Sequence, residues 1–254
     1  GTGLGLSVAY GIIQQHGEVR TDTRFLSLKR EQNQLILNTS QGDIACRNLI
    51  NCGGLQSDRI ARRCGVKPGL QIIPFRGEYY EVIERKHYLV NHLIYPVPDP
   101  RFPFLGVHFT RMIKGGREAG PNAVLSFKRE GYHKTSFSLK DTMQFGLYGG
   151  FWLMALKFWK MGMGEFYRSF NKKAFTKALQ GLVPGISEDD LTEGGAGIRA
   201  QACGRDGGLI DDFYFAESRN ILHVCNAPSP AATSSLAIGE YIADRITEQA
   251  DIKN

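Results

Sequence analysis

The 254-residue sequence has few cysteines and no paired cysteine motif. Its five cysteines are an odd number, and no two of them stand in a CxxC pair. This pattern predicts neither a disulfide framework nor a zinc site, so we expect no metal centre. Free thiols are typical of a reducing compartment, and we expect a cytoplasmic location.

The sequence also lacks a block of like charges. Lys and Arg number 31 against 25 Asp and Glu, which gives a net charge of +6, but no five or six like charges are consecutive. No basic stripe alternates with aromatic residues. A nucleic-acid partner is therefore not predicted.

No uninterrupted apolar run is long enough for a membrane span. The longest apolar window, residues 145–164, is broken by glycines and by Lys157 and Lys160, whereas a bilayer span needs about 20 mostly apolar residues. Two interpretations of its Phe, Trp and Met residues remain open. They pack a helix on a sheet, or they form a peripheral helix on the inner membrane surface.

The periodicity predicts an α/β (α+β) fold in which both chain ends form one α/β domain around an inserted antiparallel sheet. We expect domain segments 1–72, 73–190 and 191–254. The predicted helices cover 6–16, 57–64, 139–182 and 233–249. The predicted strands cover 18–28, 34–38, 44–52, 77–82, 92–97, 105–110, 123–126, 196–202, 210–215 and 221–225.

A loop of small residues, 225–235, connects the last predicted strand to the last helix. Small side chains allow a flat ligand to approach the backbone, and the free N–H groups of a helix start favour negative charge. An ordinary connection capped by Thr233 or Ser234 explains the same residues equally well.

Arg199 lies in a predicted strand, within Gly197–Gln201 and shortly before Asp206–Gly208. A planar guanidinium on a rigid strand suits bidentate binding of a carboxylate. A surface ion pair is the alternative.

The pairing of Gly-x-Arg with a following Asp-Gly and a small-residue loop resembles the flavin-site segment of the D-amino-acid-oxidase-like FAD oxidoreductases. Longer blocks resemble the L-2-hydroxyglutarate oxidase/dehydrogenase branch of that family. These blocks are 74–79, 91–96, 104–108, 120–123, 127–132 and 226–230. The resemblance runs from about residue 18 to residue 246. It implies an FAD cofactor, a small dicarboxylate substrate and oxidation of L-2-hydroxyglutarate to 2-oxoglutarate, with either oxygen or a quinone as electron acceptor.

The resemblance also implies site residues. Asn51, Cys52, Gly53 and Gly54 are similar to the family's second flavin contact. The implied cofactor-binding residues are Gly53, Gly54, Asn226, Ala227, Pro228, Ser229, Pro230, Ala231, Ala232 and Thr233. The start of the last helix would stabilise negative charge on the reduced flavin.

For catalysis we expect Arg199 to bind the carboxylate beside C2 and His108 to take the hydroxyl proton, with His92 as the second candidate base. Arg76 or Arg111 would bind the distal carboxylate, or would instead pair with Glu78 or Glu81. We expect Arg199 and the loop at 226–233 to border one cavity.

One departure from the family concerns the dinucleotide-binding unit. The family opens with a strand and a GxGxxG turn, and nothing here matches it, because the glycines of Gly1–Leu6 have no preceding strand and the wrong spacing. The chain therefore looks like the C-terminal part of a longer flavoprotein.

Two alternatives remain. Residues 1–17 resemble the glycine box of the ATP-binding domain of sensor histidine kinases. The other alternative is a noncatalytic remnant of a flavoprotein that binds no cofactor.

Overall fold

A computed structural model describes residues 17–32, 34–97, 106–228 and 231–251. The helix predicted over 6–16 lies outside these ranges. Within them the chain forms ten strands and five α-helices. The strands are β1 (Phe25–Glu31), β2 (Gln34–Thr39), β3 (Gly42–Cys46), β4 (Leu49–Asn51), β5 (Leu70–Val82), β6 (His108–Arg111), β7 (Arg117–Leu125), β8 (Leu191–Gly204), β9 (Tyr214–Ser218) and β10 (Ile221–Asn226). The helices are α1 (Ser57–Arg63), α2 (Leu139–Gly146), α3 (Gly149–Phe170), α4 (Lys172–Gln180) and α5 (Ser235–Asp251).

A small mixed sheet joins the two ends of the described chain. Its strand order is β4-β10-β9, with β4 parallel to β10 and β9 antiparallel to it. This pairing, together with α1 and α5, confirms the predicted α/β unit built from both chain ends. The strand predicted over 44–52 is divided, because β3 ends at Cys46 in the β1-β2-β3 meander and β4 begins the mixed sheet.

The second main layer is an antiparallel sheet of order β6-β7-β5-β8. Strand β8 pairs with β5 from Leu70↔Gly204 to Val82↔Leu191, so the sheet extends across the boundary expected at 190/191. Residues 92–97 form no strand, and only Ile94 bridges to Phe109.

The two faces of this sheet have separate cores. Tyr80 and Val82 pack with Phe175 and Leu179 of α4. Ile73 packs with Phe145, Phe151 and Met154 of α2 and α3. Because side chains alternate along a strand, odd-numbered β5 residues such as Phe75 and Tyr79 project from one face and even-numbered residues from the other.

A buried ion network connects the mixed sheet's helix α1 to the segment before α2. Asp58 is fully buried and accepts from Arg129 Nη2 at 2.9 Å and from Arg62 Nη1 at 2.8 Å. Asp141 accepts from the Arg129 backbone N–H at 2.9 Å and pairs with Arg59. Burial alone raises the pKa of Asp58, but the two guanidinium groups outweigh it and lower the pKa.

Among the described residues, no helix combines the length and apolar character that a bilayer span requires.

Candidate functional site

A cavity of about 340 Å³ lies where β4 and β10 end. Parallel strands place their carboxyl ends at one edge of a sheet, which is where ligands bind in open α/β folds. The lining residues come from the turn after β4, from β8, from β10 and its loop, and from α5. They are Cys52, Gly54, Ala200, Val224, Cys225, Asn226, Ala227, Ala231, Ser235, Ile238, Gly239 and Ile242.

The turn after β4 is held by Asn51. Its Oδ1 accepts from the Gly53 N–H at 3.0 Å, while Nδ2 donates to the Ser57 carbonyl at 2.9 Å and lies 2.9 Å from His223 Nδ1. A Cβ on Gly53 would lie 2.5 Å from Ile60 Cδ1. Gly54 has a φ of +49° and space around it. Glycine at both positions therefore keeps the turn tight and its cavity side open.

The loop after β10 is tied down by its first residue. Asn226 Nδ2 donates to the carbonyls of Ile210 at 3.0 Å and Asp212 at 2.7 Å, so its side chain holds the loop. Of the predicted cofactor residues, Gly54, Asn226, Ala227 and Ala231 line the cavity. Gly53, Pro228, Ala232 and Thr233 are described but are not among its lining residues, and Ser229 and Pro230 lie outside the described residues.

Our sequence interpretation included the start of the last helix but not the side chains of α5 that line the cavity. Ser235, Ile238, Gly239 and Ile242 all line the cavity. Their spacing of three, one and three residues places them on one helical face, which is the signal that would have identified them.

Arg199 and Ala200 project from opposite faces of β8. Ala200 lines the cavity at the β10 loop. Arg199 is the direct partner of Phe75 in β5, and direct partners share a face. Strand alternation separates neighbouring side chains, and Arg199 is not among the described lining residues of this cavity, so the expectation that Arg199 and the loop at 226–233 border one cavity stays a prediction. Burial lowers the pKa of Arg199, and the nearby Asp211 opposes that shift.

His108 lies in β6 at the other edge of the same sheet. Its Nδ1 is 3.0 Å from the Gly106 carbonyl, which makes Nδ1 the protonated nitrogen and leaves Nε2 as an acceptor. The Tyr95 ring stacks on the imidazole with centroids 4.2 Å apart. Burial lowers the pKa of His108, although the hydrogen bond to Gly106 opposes this.

The sheet separates His108 from Arg199. Two strands lie between β6 and β8, so the backbones are about 14 Å apart across the sheet. His108 pairs with Gly120, beside Tyr79, and Arg199 pairs with Phe75, which adds roughly 14 Å along the strands. The two residues therefore lie at opposite edges of the sheet, and this separation does not support the expected pairing of base and anchor.

The other candidate cations and bases also lie apart from Arg199. Arg76 is 4% exposed and donates to Glu78 Oε1 from Nη2 at 2.7 Å and from Nε at 2.9 Å, so it is an internal partner of Glu78 and does not bind a distal carboxylate. Arg111 is exposed opposite Arg117 in the register, with Nη1 3.4 Å from the Asn91 carbonyl. His92 occupies an exposed bend.

An apolar cavity of about 300 Å³ lies between α3 and the sheet face that carries Arg199. Phe75 and Leu125 of the sheet form one side, and Met154, Phe158 and Trp159 of α3 form the other. The α3 backbone is non-helical at Phe158. The guanidinium of Arg199 and the apolar pocket therefore share this face of the sheet. The next residue of β8, Ala200, lines the cavity at the β10 loop.

A ligand cavity at the carboxyl ends of parallel strands, next to an antiparallel sheet with a strand-borne arginine, is the arrangement of a two-part flavoenzyme. The family described as "DAO: FAD dependent oxidoreductase" matches residues 4–245. The chain belongs to this family, whose cofactor is FAD.

Several curated relatives carry the name L-2-hydroxyglutarate dehydrogenase. The protein of Indibacter alkaliphilus is 55% identical over 90% of this chain and 57% of its own length. The protein of Escherichia coli K12 is 44% identical over 91% of this chain and 55% of its own length. The human mitochondrial protein is 46% identical over 86% of this chain and 48% of its own length. The chain thus spans about half the length of the curated relatives it matches.

Solved structures support the same fold. The L-α-glycerophosphate oxidase of Mycoplasma pneumoniae, with FAD bound, matches with a TM-score of 0.64 at 18% identity, covering 91% of this chain and 52% of that one. The glycine oxidase of Bacillus cereus matches with a TM-score of 0.59 at 13% identity, covering 96% and 54%. The alternative interpretation of residues 1–17 as part of a kinase finds no support in these matches.

Proposed function

We propose that the protein to which this chain belongs oxidises L-2-hydroxyglutarate to 2-oxoglutarate with FAD. The observation that carries the proposal is the 44–55% identity to relatives named L-2-hydroxyglutarate dehydrogenase, over about nine-tenths of this chain.

The cavity at the β4 and β10 ends fits a flavin. Its lining is made of small side chains, Gly54, Ala200, Ala227, Ala231 and Gly239 among them, so a flat ring system can approach the backbone. The N-terminal turn of α5 favours negative charge beside it. When bound, FAD supplies the acceptor for the hydride that leaves C2.

Arg199 is the proposed substrate anchor. It precedes the cavity-lining Ala200 by one residue in β8, and its pairing with Phe75 of β5 fixes its backbone. A bidentate guanidinium orients the carboxylate beside C2 and thereby the C2–H bond. His108 is not given the role of base at C2, because the sheet places it at the opposite edge.

The test is anaerobic mixing of FAD-loaded protein with L-2-hydroxyglutarate, followed by the loss of flavin absorbance. We expect bleaching with the L-enantiomer and none with the D-enantiomer, glycerol 3-phosphate or glycine. Equal bleaching by glycerol 3-phosphate would instead favour a substrate like that of the Mycoplasma neighbour. A protein that remains colourless with added FAD would support the noncatalytic remnant.

We also propose that α3 contacts a membrane surface peripherally and that a quinone accepts the electrons. Support comes from the exposed Trp152, Leu156 and Trp159, which stand beside Lys157 and Lys160 on α3. Exposed apolar and basic side chains on one helix suit an anionic lipid surface. The fraction of protein that sediments with anionic vesicles should fall for Trp152→Ser/Trp159→Ser. Turnover should depend on an added quinone analogue. Oxygen-driven turnover without that analogue would contradict the quinone assignment.

A further inference from the structure

A third cavity, of about 400 Å³, shares no lining residue with the cofactor cavity. It lies between the α1–β5 connection, the α2–α3 turn and the β8–β9 connection. Its polar lining consists of Arg62, Lys67, Gln71, Gln144, Tyr148 and Arg205. Three of these side chains are cations and no lining residue is a carboxylate.

Two of the three cations have no compensating charge. Lys67 and Arg205 are exposed, and neither makes a hydrogen bond or ion pair with another residue of the described chain. The neighbouring Asp206 is not among the lining residues, and its Oδ1 accepts from the Gly208 N–H at 3.0 Å. Like charges that face one cavity repel each other, and an anion between them removes that cost.

Gln71 adds a buried donor. The residue is 4% exposed, and its Oε1 accepts from Arg62 Nη2 at 2.9 Å. That bond fixes the orientation of the amide, because only the oxygen can accept from a guanidinium. The Gln71 Nε2 group is buried and has no partner within the described chain. A buried donor without a partner carries a desolvation cost, which an acceptor atom from a ligand would remove.

Arg62 is already engaged and shapes the site. Its Nη1 lies 2.8 Å from Asp58 Oδ2, and its Nη2 also donates to the Leu70 carbonyl at 2.9 Å. The Arg62 guanidinium is thus held in place in the cavity wall, while the exposed Lys67 and Arg205 stay available to a ligand.

The geometry points to a binding site for a small oxyanion of the phosphate class, with Lys67 and Arg205 as its charge partners and Gln71 Nε2 as a buried donor. Phosphate oxygens accept from several donors at once, which matches a set of two cations and an amide. The site is independent of flavin and of the proposed substrate. Inorganic phosphate and phosphate monoesters share this chemistry, and titration separates them.

The test is calorimetric titration of the full chain with inorganic phosphate and, separately, with glycerol 3-phosphate, at constant ionic strength. We expect saturable binding of at least one. The Lys67→Ala/Arg205→Ala variant should weaken it by about tenfold or more, which is about 1.4 kcal/mol. Gln71→Glu keeps the acceptor for Arg62 but replaces the donor by a negative oxygen, and it should abolish binding.

A matched control is Arg47→Ala/Lys114→Ala, which removes the same two charges from exposed positions outside the cavity. It should bind phosphate as the unmodified chain does. Equal weakening in the control, equal heat from chloride, or no saturable binding of either phosphate compound overturns the proposal. Tighter binding of the monoester would identify it as the natural ligand, and tighter binding of phosphate would identify the free ion.

Discussion

Replacing Asp58 by Asn should destabilise this chain strongly. Asp58 is fully buried, and its two guanidinium partners come from different parts of the chain. Arg129 is almost as deeply buried, with 3% of its side chain exposed. The substitution keeps the volume but leaves the Arg129 charge buried without a counter-charge. Breaking a buried pair from one side costs about 3–5 kcal/mol.

Urea unfolding followed by circular dichroism measures this cost. We expect the free energy of unfolding to fall by the amount stated, and Asp58→Asn/Arg129→Met to recover part of it, because the double variant leaves no isolated buried charge. Glu18→Gln removes an exposed pair with Arg20 and serves as the control, with no measurable change expected. A loss in Asp58→Asn below about 1 kcal/mol, or additive losses in the double variant, would refute the reasoning.

The pH dependence gives a second measure of the same network. The pKa of Asp58 in the folded chain is lower than its ordinary value of 3.8. Its contribution is therefore complete above the unfolded-state pKa and is lost as the pH falls through the folded-state pKa. Asp58→Asn should flatten the acid side of the stability curve below about pH 4, and an unchanged slope would exclude this residue as its source.

Four further outcomes are expected. Arg199→Lys should raise KM for L-2-hydroxyglutarate about tenfold or more, because the bidentate fork is lost, and steady-state kinetics check it. His108→Gln should leave the rate of flavin reduction within about threefold; a loss of 100-fold in stopped-flow reduction would restore it as the base. Gly53→Ala should weaken FAD retention in equilibrium dialysis, because its Cβ would meet Ile60. Burial lowers the pKa of His223 to about 4 from 6.5. The free energy of unfolding should therefore decrease as the pH is lowered from 6.5 to 4, by at most about 1.4 kcal/mol per pH unit, because the unfolded chain binds the proton more readily. His223→Gln should remove this decrease in urea unfolding measured across that pH range.

Local sequence patterns predicted several elements where the signal was periodic, and the family resemblance implied residues that line the cavity at the ends of β4 and β10. The helix at α1 and the strand at β10 follow directly from apolar spacing and from the glycines that end β4. Gly54 and Asn226–Ala227 were expected at a cofactor and do line the cavity. The resemblance over nearly the whole chain supplied the family, which no single motif would have done.

What the sequence could not supply is the order of strands within the sheet. His108 and Arg199 both lie in strands of one antiparallel sheet, but these strands, β6 and β8, are its two edge strands. The sequence pattern predicts that each segment is a strand, but it does not predict which strands lie next to each other. For Arg76 the sequence left two alternatives, and the structure shows the pairing with Glu78. Two-residue spacing puts Glu78 on its own face of β5, so the nearest carboxylate was in the same strand and satisfied it.

The register of β8 is what connects the two halves of the candidate site. Arg199 and Ala200 face opposite sides of β8, and the pairing with β5, which shifts between the pairs at Glu78 and Tyr80, fixes the face that each residue occupies. Gly194 lies within that shift, where a Cβ would approach the Tyr79 carbonyl oxygen at 2.9 Å. A one-residue slip would exchange the two faces, turning the guanidinium toward the cofactor cavity and an alanine toward the sheet. The β5–β8 pairs on both sides of the shift therefore determine the face of β8 from which the Arg199 guanidinium projects. That face in turn determines where a carboxylate bound by Arg199 would lie relative to the proposed cofactor position.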